Sequence, residues 1–330
     1  MPRNAVIRST GSYAPEWTLP NHYFNELLGE DVDSWLIQNL TIRERHWCRE
    51  NESTADLCLQ AAQRALENAN LPASKLDLIL VATDTPEYIS PSTAAVVQYR
   101  LGAVNAGAFD INTACAGFVT GLDVASKYVQ ADSRYEQVLV IGVYAMSKYL
   151  DKQDKKTVTL FADGAGAVIL GVEKNTSHGF LASELITQGQ YHDWMGIYAG
   201  GTKLPLSTEV LQRKDHLLKF VRKFPKEINP QTWAQMIRNL CDRLHIHATD
   251  VDHYFFTQIN INSIHQTLDH IGVPRERAHT IMDRYAYTGS ACIPMAFDDA
   301  IQQGKVKPND LIFFIGSGGG LAFASAAFIF

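Results

Sequence analysis

The sequence predicts an α/β protein assembled from two copies of one unit, and three observations carry that prediction. Short apolar runs alternate with segments of helical pattern. The same alternation recurs in the second half of the chain, with three segments matched at similar offsets. The longest apolar stretch, Leu311 to Phe330, is interrupted by Gly316-Ser-Gly-Gly-Gly320 and so reads as two paired, buried strands rather than one helix.

Taken in order, Leu78-Ile-Leu-Val81 is a strand-length apolar run, and a helix follows Pro91. Ala108-Phe-Asp-Ile111 is the next strand, with a helix after Cys115. Val138-Leu-Val-Ile-Gly142 and Gly164-Ala-Gly-Ala-Val-Ile-Leu170 complete the first set of strands. In the second copy, Ser74–Thr85 lies over Thr249–Asn260, the turn before Cys115 over Ile281–Tyr287, and Val138–Gly142 over Ile312–Gly316. The halves are placed at residues 1–172 and 173–330.

With 330 residues and 46% of them hydrophobic, the chain has ample material for a deep core. A net charge of −6 without a run of Lys and Arg argues against nucleic acid or an anionic membrane as partner, and favours small molecules or a carrier protein. The five cysteines are odd in number and irregularly spaced, which suggests neither a disulfide framework nor a zinc site and points to a reducing compartment. No secretory signal pattern follows Met1, and the broken C-terminal stretch does not suit a membrane span, so the expected location is the cytoplasm. Gly164-Ala-Gly166 lacks the Lys-Ser/Thr of a phosphate loop and the full dinucleotide spacing; a turn in the core is the better reading, with Asp163 structural.

The chemistry centres on Cys115, in Phe109-Asp-Ile-Asn-Thr-Ala-Cys-Ala-Gly-Phe118. An apolar strand there runs through small residues into a helix, setting the thiol at a helix N-terminus where the dipole favours thiolate. A buried, inert cysteine is the competing reading. Pseudo-twofold α/β units bring equivalent strand-to-helix turns to one crevice, so Cys115 and Tyr287 should face each other. The loop carrying Thr257, Gln258 and Asn260 should join them, and the glycine hairpin at Gly318 should supply an N–H that completes, with that of Cys115, a two-donor oxyanion hole.

These residues resemble β-ketoacyl-acyl carrier protein synthase III, of the thiolase-like superfamily, over essentially the whole chain. The resemblance is carried by Trp35 with Ile42-Arg-Glu-Arg45, Val81-Ala-Thr83, Thr113-Ala-Cys-Ala-Gly-Phe118, Leu160-Phe-Ala-Asp-Gly-Ala-Gly-Ala167, Arg284-Tyr285 with Ile293-Pro294, and Gly318-Gly-Gly-Leu321. It implies a homodimeric five-layer αβαβα fold and no cofactor. The implied chemistry is acylation of Cys115 by an acyl-CoA or acyl-carrier thioester, then decarboxylative attack by a malonyl thioester. It also implies Trp35 stacked on the CoA adenine, although a packing role for Trp35 is equally open.

The sequence departs from that family where its His and Asn should stand, which here read Thr257-Gln-Ile-Asn260 and Ala286-Tyr-Thr288. Thr257 and Tyr287 each keep an O–H that could donate to a developing enolate, but neither takes a proton near neutral pH as imidazole does. Tyr287 could equally be a plug in the malonyl pocket, and Thr257 a small packing residue. His253 and His265 are expected on the surface or in a packed groove. Asn39 and Asn262 stand at expected basic positions, leaving Lys155, Lys156, Lys219, Arg222, Lys223 and Lys226 as candidate contacts for a phosphate or carrier protein. Three functions therefore remain in view: transfer of the acyl group to a malonyl thioester; transfer to an alcohol, amine or water; and a non-catalytic subunit in a heterodimer with a complete synthase.

Overall fold

A computed structural model describes residues 2–330. Its first sheet has five strands in the order Arg3–Tyr13, Asp163–Lys174, Gln137–Ala145, Leu78–Ala82 and Gly107–Ile111. The second has four, in the order Gly179–Thr187, Ala322–Ile329, Leu311–Gly318 and His253–Phe256. The two orders correspond strand for strand, and so do the pairings: antiparallel, antiparallel, then parallel. The counterpart of Gly107–Ile111 is reduced to a single parallel bridge between Tyr254 and Ala278. The first copy alone keeps a fifth strand, which leaves Gly107–Ile111 as a sheet edge paired on one side.

Between the sheets lie the helices Gly117–Ala131 and Cys292–Gln302. Because a sheet covers it on both sides, Gly117–Ala131 is apolar around most of its circumference, with Phe118, Val119, Leu122 and Ala125 fully buried. Thr54–Asn68 and Thr93–Leu101 cover the outer face of the first sheet, and Ile228–Leu244 with Ile261–Ile271 that of the second. The layers are therefore αβαβα. Thr54–Asn68 starts at a reciprocal cap between Ser53 and Asp56, satisfying donors that a helix N-terminus otherwise leaves open.

The apolar C-terminal stretch forms the expected buried hairpin, and among the described residues no helix is long and apolar enough to cross a membrane. Gly164-Ala-Gly166 is not a turn but lies inside the strand Asp163–Lys174. Asp163 itself is fully buried and accepts hydrogen bonds from the amides of Cys48 at 2.7 Å and Ser147 at 2.8 Å, tying the start of that strand to two neighbouring segments.

Candidate active site

Parallel strands present their C-terminal ends on one side, and the residues that follow them converge there. After Gly107–Ile111 the chain turns tightly: the Asn112 side chain accepts from the Ala114 amide at 3.1 Å, and Ala114 takes a positive φ of 46°. That turn sets Cys115 two residues ahead of the helix Gly117–Ala131, as the strand-to-helix pattern requires. The thiol is only 2% exposed.

Its environment overturns one expectation. Burial pushes the Cys115 thiol well above its ordinary pKa, the Asp84 carboxyl adds to the rise, and a hydrogen bond from the Tyr287 hydroxyl opposes it. Desolvation thus outweighs the helix N-terminus, and the resting group is a thiol. Asp84 feels the same environment: burial raises it to about 6, and its Oδ1 has no partner among the described residues.

Tyr287 comes from the second half of the chain. Its amide donates to the Leu160 carbonyl at 3.0 Å and its carbonyl accepts from the Ala162 amide at 2.9 Å, which pins the turn after Met282–Tyr285 beside the first sheet. The phenol is 2% exposed and reaches Cys115, with its ring 5.4 Å from Phe161 and 6.4 Å from Tyr144.

Tyr144 is a neighbour of Cys115 that the sequence reading missed. Near the end of the strand Gln137–Ala145, its buried phenol lies close enough to Cys115 for that group to add to the rise that burial gives the Tyr144 hydroxyl. A side chain on Gly289 would place its Cβ 2.5 Å from the Tyr144 ring, and Gly289 holds φ +50°, so the ring occupies space that only glycine leaves free. The available signal was the strand's alternation continued past Gly142, which turns Tyr144 to the same face as Gly142, toward the second half.

Of the two roles left open for Thr257, the contacts fit the packing one. It is 1% exposed and absent from the cavity lining; its Oγ1 accepts from the Ser317 amide at 2.9 Å and donates to the Ser317 carbonyl at 3.2 Å. Both hydroxyl functions are committed to backbone, so Thr257 does not face substrate as a donor. Gln258 is committed likewise, donating to the His279 carbonyl at 3.2 Å and accepting from the Ile281 amide at 2.8 Å.

The glycine hairpin needs a similar correction. A Cβ on Gly318 would lie 2.5 Å from the Cys115 amide nitrogen and 2.7 Å from the Thr113 carbonyl, so the two backbones are in close apposition. However, Ile315 and Ser317 direct their polar groups toward Thr257, and alternation along the strand turns those of Gly318 the other way, toward its ladder partner Ala322. Gly319, the first residue beyond the ladder, also lines the cavity and carries the next N–H.

These groups close one end of a cavity of about 620 Å³. Cys115, Tyr287, Ser317, Gly318 and Gly319 sit at the buried end, Leu160, Phe220, Phe224, Ile259 and Leu321 form apolar walls, and Trp35, Lys223 and Lys226 stand at the exposed end. Trp35 is 55% exposed, which excludes a core role. Asn260 lines the cavity while its side chain caps the helix Ile261–Ile271 by accepting from the Asn262 amide at 3.0 Å. Lys155 is not there: its ammonium pairs with Glu30 at 2.9 Å outside the cavity. Lys219 and Arg222 are also paired, with Asp215 and Asp193. His253 pairs with Asp310 at 3.1 Å, and neither it nor His265 reaches the cavity.

Known proteins are similar to this chain over nearly its whole length. The family model for 3-oxoacyl-[acyl-carrier-protein] synthase III matches residues 109–189, and the model for that family's C-terminal part matches 234–330. The β-ketoacyl-[acyl-carrier-protein] synthase III of Clostridioides difficile strain 630 is 34% identical over 326 residues, covering 99% of this chain and 98% of that protein. The enzyme of the same name from Oceanobacillus iheyensis is 36% identical over 327 residues, covering 98% of each chain. Among solved structures, 3-oxoacyl-[acyl-carrier-protein] synthase III from Aquifex aeolicus VF5 superposes with a TM-score of 0.88 at 30% identity, over 99% of this chain and 100% of that one. The chain belongs to the β-ketoacyl-[acyl-carrier-protein] synthase III family, with the thiolase-like fold of its members.

Proposed function

We propose that this protein is a β-ketoacyl-acyl carrier protein synthase III-type acyltransferase of fatty acid synthesis, with Cys115 as its nucleophile. The observation that carries the reading is the thiol at the closed end of a cavity, against a glycine hairpin and under the Tyr287 hydroxyl. In the first step the Cys115 sulfur attacks the carbonyl carbon of an acyl-CoA or acyl-carrier thioester, and the thiol proton leaves with the departing thiol. The oxyanion is held by the amides of Cys115 and Gly319. In the second step a malonyl thioester loses carbon dioxide, and the electron pair released attacks the acyl carbon. The Cys115 sulfur departs as thiolate and recovers a proton. Tyr287 brings a neutral hydroxyl donor to the Cys115 end of the cavity.

Lys223 and Lys226 are exposed, line the cavity and form no ion pair among the described residues, which suits them to the phosphates of CoA or of a carrier's pantetheine arm. Trp35 offers a stacking face beside them. A homodimer is supported by the half-paired edge Gly107–Ile111 and by nearby exposed apolar residues, Ile89 at 83%, Tyr99 at 84% and Val104 at 74%. We place the protein in the cytoplasm and read residues 1–172 and 173–330 as the two halves of the duplication.

The test of condensation is a chase of the acylated enzyme with a malonyl thioester. Release of the acyl group as a β-ketoacyl thioester, with one carbon dioxide per turnover, supports the reading. An acyl group that stays on the protein, or leaves only as free acid, overturns it.

A further inference from the structure

We infer that Thr257 is a positioning residue for the oxyanion hole, clamping the strand end from which the Gly318–Gly319 turn springs. The inference rests on the reading of Cys115 as acyl-accepting nucleophile. The strand His253–Phe256 stops one residue short of Thr257, and its parallel ladder with Leu311–Gly318 ends at the pair Phe256 and Ile315. The last ladder-type bond runs from the Thr257 amide to the Ile315 carbonyl at 3.0 Å. Beyond it, the amide and carbonyl of Ser317 have no strand to pair with on that side, yet Ser317 is only 5% exposed at the closed end of the cavity. Buried backbone polar groups need partners. One hydroxyl supplies both, at 2.9 and 3.2 Å, because an O–H accepts and donates at the same atom.

The clamp sits immediately before the hairpin that lies against the Cys115 amide, where a Gly318 Cβ would come within 2.5 Å. There is no slack in that apposition. Oxyanion donors act only when held 2.7–3.1 Å from the position of the developing charge, so freeing Ser317 loosens the donor of the next residues. Thr257 thus acts on the reaction through the backbone, without touching substrate.

The test compares two reactions of the same sulfur. Acylation by an acyl-CoA develops an oxyanion; alkylation by iodoacetamide does not. Thr257→Val keeps the shape and loses the hydroxyl, and should slow single-turnover acylation by at least about 10-fold, against the 10²–10³ typical of removing a donor outright. Alkylation should stay at the wild-type rate, and Thr257→Ser should restore acylation. Acylation by Thr257→Val at the wild-type rate overturns the inference, as does an equal fall in both reactions, which would mark a general collapse of the site. Should the valine variant fail to fold, Thr257→Ala is read by the same two rates. A wild-type protein that is alkylated at Cys115 but never acylated refutes the acyl-enzyme reading itself, and the inference with it.

Discussion

Gly318→Ala puts the geometry of the site under direct strain. The added methyl would stand 2.5 Å from the Cys115 nitrogen, 2.7 Å from the Thr113 carbonyl and 2.9 Å from the Ala114 Cβ, where ordinary contact begins at 3.4 Å. The nearest obstacles are backbone atoms, not the ends of flexible side chains, so relief needs the hairpin and the Cys115 turn to part by roughly 1 Å. A misplacement of that size costs on the order of 10²-fold in rate where donors and nucleophile must be aligned. The assay is single-turnover acylation of Cys115 followed by mass, with circular dichroism and the thermal midpoint as controls for folding. The expected result is a loss of about 100-fold in a folded protein. Acylation within about threefold of wild type would show that the hairpin does not need its apposition to Cys115, and would refute the reasoning.

Three further outcomes follow from named contacts. Tyr287→Phe removes the hydroxyl that favours the Cys115 thiolate, and a hydrogen bond to a charged group is worth about 1.5–3 kcal/mol. Alkylation by iodoacetamide at neutral pH should therefore slow by about 10-fold or more, with the rate still climbing through alkaline pH; an unchanged profile would contradict it. Asp84, raised to about 6 by burial, contributes stability that is full below about pH 4 and lost as pH rises through 6. Asp84→Asn should thus raise the thermal midpoint at pH 8 relative to wild type by more than it does at pH 4, and an equal change at both would remove the buried carboxylate from the account. Replacing Lys223 and Lys226 together by Ala should raise KM for acyl-CoA and flatten its dependence on salt while leaving kcat in place; a fall in kcat at constant KM would place them in the chemistry instead.

The repeated α/β pattern was legible because it depends on local apolar periodicity, and the strands at Leu78–Ala82, Gly107–Ile111 and Leu311–Gly318 fall where that periodicity puts them. Cys115 and Tyr287 were legible as a facing pair because the duplication carries one turn onto the other. What stayed hidden depends on long-range pairing and on the direction of single bonds. Nothing local in Lys155 announces that Glu30 takes its charge, and Thr257 looks like a free hydroxyl until Ser317 is seen to use both of its functions. Gly318 and Gly319 could not be told apart as donors in the sequence, because the choice between them turns on the alternation of N–H groups at a strand end. The expected acid shift of Cys115 failed because the helix N-terminus is a local feature and desolvation is not.

The central claim is that Cys115 carries the acyl group, and intact-protein mass after incubation with a panel of acyl-CoA and acyl-carrier thioesters tests it most directly. The expected result is a single adduct of acyl mass on the wild-type chain and none on Cys115→Ala. An adduct that persists in the alanine variant, or a wild-type thiol left unmodified by every donor while iodoacetamide still reaches it, would contradict the account.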